Sequence, residues 1–236
     1  MRVLDLFSGL KGWSQPFIDR GHEVFTVDND TQFNANLYID IAQLQPSMVP
    51  FIPDIILASP PCTKFTVMQI GKNWYHDNTP KTMGAAEALG LVEATRKLIS
   101  YYISQGTSYF ILENPRAKLR KLSVVEDLER RTITYCQYGE ERMKPTDLWG
   151  GFPKYFITRE ACKNGDPCHI RTPRGSHDVG TQMMVSKISS SKGAKIPYEL
   201  ALDVCLAMEK ELGEGEENGT ENCRFTSLEN INRIKR

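Results

Sequence analysis

The sequence predicts an α/β fold, in which a mostly parallel sheet carries helices on both faces. Three observations support this fold class. Over the first 150 residues, short apolar runs that suit buried strands alternate with segments of helical spacing, as in βαβ units. Several of these runs end abruptly on polar residues, which is typical of the edge where a parallel sheet binds its ligand. Residues 150–195 lack this periodicity and are rich in Gly, Pro and Ser, so we expect a small irregular insertion there.

The first half of the chain is predicted to contain four strands. Arg2–Phe7 is apolar enough for a buried strand, Ser8–Gly12 is a glycine turn, and Trp13–Arg20 has helical spacing. Residues 63–83 are polar and have few periodic apolar positions, a pattern typical of a mobile loop. The three further strands of this half are Glu23–Val27, Tyr38–Ile41 and Asp54–Ala58.

The second half is predicted to contain two long helices and three strands. Apolar positions recur at helical spacing from Gly84 to Gln105. Pro197–Leu212 is a second helix, which begins on a proline whose missing N–H costs nothing in the first turn. The strands are predicted at Tyr109–Leu112, Arg131–Tyr135 and Thr146–Trp149.

Length and composition are those of one substantial folded domain. With 236 residues, 40% hydrophobic and 25% charged, the chain has enough apolar material for a core. This excludes a mainly disordered, collagen-like or disulfide-scaffold protein. Its predicted parts are a core at 1–149, an irregular segment at 150–195, a helix at 196–212 that returns to the core, and a polar tail at 213–236.

Nothing in the sequence predicts export or insertion into a membrane. No apolar stretch approaches the ~18–20 residues that a membrane span needs. Asp5 lies inside the first apolar run, which is unlike a signal peptide. We therefore expect a cytoplasmic protein with no membrane partner, whose six cysteines are reduced thiols.

The charges are balanced overall but unevenly distributed. The 29 Lys and Arg residues match the 29 Asp and Glu residues, a balance that weakly disfavours a nucleic-acid partner. However, Lys154–Lys195 contains eight basic and three acidic residues, whereas Glu209–Glu221 contains six acidic residues and one basic residue. An acidic tail can cancel a basic surface in the sum without covering it. Two solvated faces of opposite charge and a nucleic-acid surface therefore both remain open.

Polar groups at the strand ends indicate a nucleoside-bearing cofactor. The glycine turn after the first strand lets a ligand approach the backbone closely. Asp28 follows the second strand, where a carboxylate can accept hydrogen bonds from both hydroxyls of a ribose. Asp40, after the third strand, can accept from an adenine amine. The turn lacks the full G-x-G-x-x-G spacing, which makes a dinucleotide less suitable.

Two further strand ends carry residues that suit catalysis. Cys62 follows Pro60 and Pro61 where an apolar strand enters a polar loop, so its thiolate is predicted to be accessible. A buried structural cysteine is the usual alternative. Glu113 ends another apolar strand and is either an acid–base group or a capping or ion-paired residue. A thiol and a carboxyl group beside a nucleoside site favour the catalytic interpretation.

At these residues the sequence resembles the DNA (cytosine-5)-methyltransferase family. Four matching stretches occur in the family's order over about residues 1–150, and they are highly specific as a set. The shortness of the chain resembles small members encoded by bacteriophages and other viruses, which act in a host cell. The matching stretches are Asp5–Gly12, Ser59–Cys62, Glu113–Pro115, and Tyr138–Gly139 with Arg142–Lys144.

The resemblance implies the Rossmann-like fold of S-adenosylmethionine-dependent methyltransferases, with S-adenosylmethionine as the methyl donor. The site residues that it implies are carried over from the matching positions of the family. They are Phe7, Gly9, Leu10 and Pro61 along the cofactor, Asp28 at the ribose, Asn29 and Ile41 beside the adenine, and Asp40 at the adenine amine.

The implied reaction is methylation of cytosine at C5. Because C5 is a poor nucleophile, Cys62 would add to C6 and make C5 enamine-like. Glu113, held near N3, would donate or share a proton. Arg142 would hold the cytosine O2 or a nearby phosphate, with Lys144 beside it. None of this can occur inside a stacked duplex, so the base must be flipped out.

Three positions depart from the family's pattern. Pro115 stands where Val usually follows Glu-Asn. Lys144 replaces the second Arg of the usual Arg-x-Arg pair and is a weaker planar clamp. In the late Gly-Asn-x-Val-Pro turn, here Gly193–Pro197, Ala194 replaces Asn. None of these changes removes a catalytic atom, so they bear on affinity and substrate.

Residues 150–195 correspond to the family's target-recognition segment and are very short for that role. Its predicted nucleic-acid contacts are Arg171, Arg174 and Gln182, Arg174 being best suited to guanine. Incidental loop charges are the alternative. The segment also contains four potential zinc ligands. The spacing between the first two, the cysteines, is wider than in common zinc sites. Loop residues without a metal are the alternative, so no metal is assigned. The four potential ligands are Cys162, Cys168, His169 and His177.

We therefore predict a DNA cytosine-5 methyltransferase that acts on double-stranded DNA as a monomer. An RNA cytosine methyltransferase is the alternative in the same class, since one branch of the family modifies transfer RNA. A catalytically silent nucleic-acid-binding relative is the alternative in another class. The presence of Cys62 and Glu113 disfavours this relative, and Ala194 slightly favours it.

Overall fold

The structure is a computed structural model that describes residues 1–163, 165–169 and 193–213. Within these residues one sheet of seven strands forms, and six of its strands agree closely with the apolar runs in the sequence. The predicted strand Tyr38–Ile41 is wrong in its bounds, because the third strand is confined to Leu37–Tyr38 and Asp40 caps a 3-10 helix. The strands are β1 (Arg2–Leu6), β2 (Glu23–Asp28), β3 (Leu37–Tyr38), β4 (Ile55–Ala58), β5 (Tyr109–Pro115), β6 (Arg130–Thr134) and β7 (Pro145–Gly151).

The helices differ widely in length. The longest is capped by Thr82, whose hydroxyl oxygen accepts a hydrogen bond from the Ala85 amide at 3.2 Å. No helix in the described ranges is both long and apolar enough to cross a membrane. The α-helices are α1 (Gln15–Asp19), α2 (Ile70–Asn73), α3 (Met83–Ser104) and α4 (residues 198–213), and 3-10 helices lie at Ile41–Gln43, Pro46–Met48, Val67–Gln69, Leu119–Lys121, Ser123–Val125 and Tyr135–Tyr138.

The strand order across the sheet is β3-β2-β1-β4-β5-β7-β6. The first five of these strands run parallel, whereas β7 inserts between β5 and β6 and pairs antiparallel with both. The direction of winding reverses between β1 and β4, and open α/β sheets bind ligands at the carboxyl ends of the strands at such a point. This is the Rossmann-like arrangement of S-adenosylmethionine-dependent methyltransferases, so the predicted fold class is confirmed.

Alternate residues of the central strands face two separate cores. In β4, Ile55 and Leu57 face a core that α4 completes, while Ile56 and Ala58 face a core that α3 completes. All four side chains are fully buried, as expected for a parallel strand covered by helices on both sides. This double burial explains why the strand is a continuous apolar run in the sequence.

Residues 63–83, for which the sequence predicts a polar loop, contain short helices and two buried aromatic rings. Phe65 and Trp74 stack with their ring centroids 5.5 Å apart. The Trp74 indole N–H also donates to the Lys64 carbonyl oxygen at 2.7 Å. Two isolated aromatic residues have neither helical nor strand periodicity, so the sequence pattern does not show this anchoring.

The described part of the irregular segment packs on the core. Phe156 belongs to the core that α4 completes. The Arg159 side chain donates hydrogen bonds to two carboxylates of α4, Glu199 and Asp203, and to the Gln137 carbonyl oxygen. The first residues of the segment therefore pack between α4 and the 3-10 helix that follows β6.

Gly12, in the turn after β1, is expected to tolerate no side chain. A Cβ there would lie 2.6 Å from the Ile196 nitrogen and 2.9 Å from its carbonyl oxygen, and backbone atoms cannot rotate away. We expect Gly12→Ala to lower the free energy of unfolding in urea by about 1–3 kcal/mol. Gly90→Ala is the matched control, because Gly90 lies within α3 with nothing near an added Cβ and should gain roughly 0.5–1 kcal/mol. A Gly12→Ala protein as stable as the wild type would contradict this packing.

Candidate active site

The carboxyl ends of β1, β2, β4 and β5 lie side by side at one edge of the sheet. β1 pairs in register with both β2 and β4, and β4 pairs with β5. The polar residues at these ends therefore meet, as the sequence predicts. They are the glycine turn after β1, Asp28 at the end of β2, Cys62 after β4 and Glu113 in β5.

The turn after β1 has an unusual backbone. Phe7, Gly9 and Lys11 have positive φ angles of 60°, 47° and 55°. For Phe and Lys such angles cost about 1–3 kcal/mol each, and this strain concentrates where a backbone holds a ligand. The Gly9 amide donates to Asp28 Oδ2 at 2.8 Å, and the Asp30 amide donates to Asp28 Oδ1 at 2.9 Å. Asp28 thus holds the turn against the end of β2.

Two buried polar atoms near this turn have no hydrogen-bond partner among the described residues. They are Asp5 Oδ1 and Ser8 Oγ. The other carboxylate oxygen of Asp5 accepts from the Ser14 hydroxyl at 2.7 Å. Burial raises the pKa of Asp5 to about 7. Because buried polar groups in folded proteins are nearly always hydrogen bonded, the two open atoms fit a polar ligand seated at the turn.

The residues implied to surround an adenine lie near the ends of β2 and β3. Ile41 is buried, whereas Asn29 is exposed. Asp40 caps the 3-10 helix that follows β3, and its Oδ1 accepts from the amide of residue 42 at 2.9 Å. Leu10 in the turn and Pro61 after β4 are also exposed, which leaves their apolar surface available to a ligand.

The loop that carries Cys62 is held on both sides. The Trp13 indole N–H donates to Ser59 Oγ at 2.9 Å, which joins the loop to the turn after β1. Asn114 Nδ2 donates to the Pro60 carbonyl oxygen at 2.9 Å, which joins it to β5. Cys62, itself half-buried, is therefore positioned beside the end of the strand that carries Glu113.

The Cys62 thiol is not a ready thiolate in the protein alone. Burial raises the pKa of this thiol, the negative charge of Glu113 raises it further, and Lys144 lowers it. Desolvation penalises the charged form of a buried group. The sequence predicts an accessible thiolate at Cys62, but burial and the negative charge of Glu113 favour the protonated thiol in the protein alone.

Glu113 is buried, and its Oε1 accepts a hydrogen bond from the Tyr135 hydroxyl at 2.9 Å. Among the described residues this hydroxyl group is the hydrogen-bond partner of Glu113, whereas a capping or ion-paired role would need a helix amide or a basic side chain. Burial, followed by the charge of Glu113, raises the pKa of Tyr135 well above its ordinary value, so the hydroxyl keeps its proton. Lys144 Nζ lies 4.2 Å from the centre of the Tyr135 ring.

Arg142 and Lys144 take different positions. Lys144 is the cation whose charge acts on Cys62. Arg142 is buried and pairs with Glu140 at 3.2 Å. Its guanidinium also lies 3.5 Å from the point where a Cβ on Gly193 would be. The late turn predicted at 193–197 therefore lies beside Arg142, although the two are far apart in the sequence.

Some predicted residues lie outside the described ranges, and nothing in the structure tests them. Three of the four predicted zinc ligands are described and lie close together, and Cys136 lies with them. The three are Cys162, Cys168 and His169, and the residues outside the described ranges are His177, Arg171, Arg174 and Gln182.

Three residues have contacts that the sequence does not predict. The sequence identifies Tyr135 only as the last residue of a strand and Asn114 only as part of a matching stretch. Their signal is a polar side chain at a predicted strand end, beside the candidate catalytic groups. Cys136 has no such signal, because nothing in its spacing relates it to the cysteines of the irregular segment.

Comparisons with known proteins find solved structures that resemble the chain at low sequence identity. No protein-family model matches the chain, and no curated protein does. A Dnmt2 methyltransferase from S. pombe aligns at 15% identity and a TM-score of 0.41, over 64% of this chain and 48% of that one. The methyltransferase EhMeth from Entamoeba histolytica aligns at 11% identity and a TM-score of 0.48, over 69% of this chain and 57% of that one.

A mutant DNMT2 from Spodoptera frugiperda aligns at 21% identity and a TM-score of 0.39, over 63% of this chain and 49% of that one. The chain thus spans about half the length of these solved structures. At these TM-scores the fold assignment rests on the strand order of the chain itself rather than on the alignments. The resemblance to small viral members stays a prediction.

Proposed function

We propose that this protein is an S-adenosylmethionine-dependent methyltransferase that methylates C5 of cytosine in double-stranded DNA. The observation that supports it most directly is the placement of Cys62 and Glu113 at neighbouring strand ends. The hydrogen bond from Asn114 to Pro60 ties the loop that bears the thiol to the strand that bears the carboxyl group. Addition to a pyrimidine ring requires a nucleophile and a proton donor side by side.

The cofactor site would lie at the turn after β1 and the end of β2. Asp28 can accept from the ribose hydroxyls with the lone pairs that the two backbone amides leave open. Asp5 Oδ1 and Ser8 Oγ, which lack partners among the described residues, fit further polar groups. Bound there, S-adenosylmethionine supplies the methyl group. The remaining proposed contacts are Phe7, Gly9, Leu10, Asn29, Asp40, Ile41 and Pro61.

Cys62 would act as the nucleophile and Glu113 as the proton donor. The thiolate sulfur forms a bond to C6, and the electron pair of the C5–C6 double bond moves toward N3, which takes a proton from Glu113. The resulting enamine carbon, C5, would take the methyl group, and the electron pair of the methyl–sulfur bond that breaks would stay on the sulfur of the donor. A base then removes the C5 proton, the electron pair re-forms the double bond, Cys62 leaves as thiolate, and N3 returns its proton to Glu113.

The charges at the site would delay formation of the Cys62 thiolate until the target cytosine is bound. In the protein alone, the charge of Glu113 raises the pKa of the Cys62 thiol. Passing the thiol proton to Glu113 neutralises that carboxylate and provides the proton for N3. Lys144 is then the charge that acts on the sulfur, and a cation favours the thiolate. Tyr135 keeps the carboxyl group aimed through its hydrogen bond.

The target base would reach Cys62 only after leaving the stacked duplex. Arg142 and Lys144 are the proposed contacts to the base or to a nearby phosphate on the core side. Arg171, Arg174 and Gln182 are the proposed contacts in the segment outside the described ranges. The basic surplus of Lys154–Lys195 would make binding strongly dependent on salt. The protein would act as a monomer.

The test is transfer of a radiolabelled methyl group from S-adenosylmethionine to defined polymers. Duplex DNA, the same duplex made entirely with 5-methylcytosine, and a transfer-RNA mixture are compared at one salt concentration. Incorporation into the unmodified duplex alone supports the proposal. Incorporation into RNA alone would move the substrate to RNA, and binding of DNA without incorporation into any polymer would indicate a silent relative.

Asp28→Asn is expected to weaken cofactor binding about 10–150-fold, since a charge-assisted hydrogen bond contributes ~1.5–3 kcal/mol. Asparagine can accept from only one of the two backbone amides that Asp28 binds, so the thermal midpoint of the variant is measured as well, to separate loss of the ribose contact from loosening of the turn. Asp30→Asn is the matched control, because that carboxylate accepts from the Gln32 amide and is not a proposed cofactor contact. Titration calorimetry measures both variants, and unchanged affinity in Asp28→Asn would refute the placement of the ribose.

A further inference from the structure

Four potential metal ligands come together at the end of β6, outside the proposed active site. Cys136 lies in the 3-10 helix that follows β6, and Cys162, Cys168 and His169 lie in the irregular segment. The ligand atoms, three sulfurs and one imidazole nitrogen, all lie within 4.8 Å of one another. Cys136 and His169 are buried, and the other two residues are half-buried.

The spacing of these atoms is close to that of a tetrahedral zinc site. Zn–S bonds of about 2.3 Å and a Zn–N bond of about 2.0–2.1 Å place S–S edges at about 3.8 Å and S–N edges at about 3.5 Å. His169 Nδ1 lies 3.6 Å from Cys162 Sγ and 3.5 Å from Cys168 Sγ. Cys168 Sγ lies 3.6 Å from Cys136 Sγ. Three of the six edges thus match the expected lengths within about 0.2 Å.

The Cys136 and Cys162 sulfurs are closer together, at 3.1 Å. This pair is not bonded, since a disulfide measures about 2.05 Å. It lies between the disulfide length and the tetrahedral edge, so a disulfide is the competing state that an experiment has to distinguish. A disulfide between Cys136 and Cys162 would not explain why Cys168 and His169 lie beside them, whereas a metal site uses all four residues.

The surroundings of the cluster hold two of the ligands in place. Gln137 Nε2 donates to Cys168 Sγ at 3.2 Å, and the Cys162 amide donates to Thr134 Oγ1 at 3.0 Å. Such outer contacts orient ligands and are typical of metal sites. Three thiolates and an imidazole suit a soft or borderline cation, and four protein ligands leave no open position for catalysis.

We propose that Cys136, Cys162, Cys168 and His169 bind one structural zinc ion. The sequence-based set contains His177, which lies outside the described residues, and Cys136 takes the fourth place instead. Because Cys136 and Cys162 are 26 residues apart, the ion crosslinks the irregular segment to the end of β6. This proposal is independent of the methyltransferase activity.

Such an ion would fix two neighbouring features of the protein. Cys136 directly follows Tyr135, whose hydroxyl donates to Glu113. His169 leads directly into residues 170–192, part of the segment predicted to contact nucleic acid. Zinc would therefore fix the position of the segment that follows His169 relative to Tyr135 in the candidate active site.

The test is the metal content of the purified full-length protein. Protein from zinc-supplemented medium, desalted into reducing buffer, is expected to contain one zinc ion per chain by inductively coupled plasma mass spectrometry. Cys168→Ser and His169→Asn should reduce the content to the buffer background and lower the thermal midpoint. Cys62→Ser and His76→Asn, which change a cysteine and an exposed histidine outside the cluster, should retain the zinc.

Cobalt substitution of the wild type tests the ligand set without any variant. The Co²⁺ protein should show the visible absorption of tetrahedral thiolate coordination, and added Zn²⁺ should remove it. Wild-type protein with neither zinc nor this spectrum would overturn the proposal, as would a Cys168→Ser protein with full zinc content. So would a Cys136–Cys162 disulfide, detected by mass spectrometry after alkylation of protein kept in reducing buffer.

Discussion

Replacing Cys62 with alanine is expected to lower methyl transfer by a factor on the order of 10⁴ or more, the scale seen when a catalytic nucleophile is removed. Without a bond from sulfur to C6, the C5 carbon of cytosine has no enamine character and cannot take the methyl group. The fold should persist, because Cys62 is only half-buried and its loop is held by Ser59 and Pro60 rather than by its own side chain. The measurement is the rate of label transfer to duplex DNA.

A mechanism-based trap identifies the bond itself. DNA that contains 5-fluorocytosine should remain attached to the wild-type protein, because fluorine cannot leave as a proton does and the Cys62–C6 bond then persists. Cys205→Ala is the matched control, since Cys205 is buried on α4 outside both the site and the metal cluster, and it should be trapped like the wild type. Normal methylation by Cys62→Ala would show that the nucleophile is another group.

The pH dependence of the free thiol follows from its surroundings. Because burial and Glu113 raise the pKa of Cys62, less thiolate exists at neutral pH than in an unperturbed cysteine. Alkylation of Cys62 by iodoacetamide should therefore be slower than alkylation of free cysteine at neutral pH, and the difference should shrink as the pH rises.

Glu113→Gln is expected to lower the rate of methyl transfer about 10²–10⁴-fold, the usual contribution of a positioned acid–base group. Glutamine keeps the shape of the side chain and an oxygen that can accept from Tyr135, so stability should change little. It cannot pass a proton to N3. Single-turnover transfer to DNA with saturating cofactor measures the chemical step.

Two controls separate chemistry from structure. Glu87→Gln makes the same change at an exposed position of α3 and should leave the rate unchanged. Glu113→Ala would remove the carboxylate that accepts from the buried Tyr135 hydroxyl, at about 1–3 kcal/mol of stability, so a loss of activity in that variant alone would not separate chemistry from structure. A Glu113→Gln protein with the wild-type rate would remove this residue from the mechanism.

Much of the fold could be predicted because the central strands are buried on both faces. Such strands must be apolar throughout, as in Ile55–Ala58, so they stand out in the sequence. Their carboxyl ends must be polar to bind a ligand, which is why Asp28, Cys62 and Glu113 could be identified as a group. Shorter elements were predicted less well: β3 is confined to Leu37–Tyr38, and Asp40 caps a 3-10 helix instead of ending a strand.

The sequence by itself thus determined the fold class and the polar residues at one edge of the sheet, including a thiol and a carboxyl group at neighbouring strand ends. Only the tertiary structure decided that Asn114 hydrogen-bonds Pro60, that Tyr135 hydrogen-bonds Glu113 and that Cys136 lies with the cysteines and the histidine of the irregular segment. These contacts join residues 22 to 54 positions apart along the chain. Their proximity depends on the order of the strands, above all on β7 entering between β5 and β6. Periodicity reports which face of an element is buried, but it carries no information about which elements become neighbours.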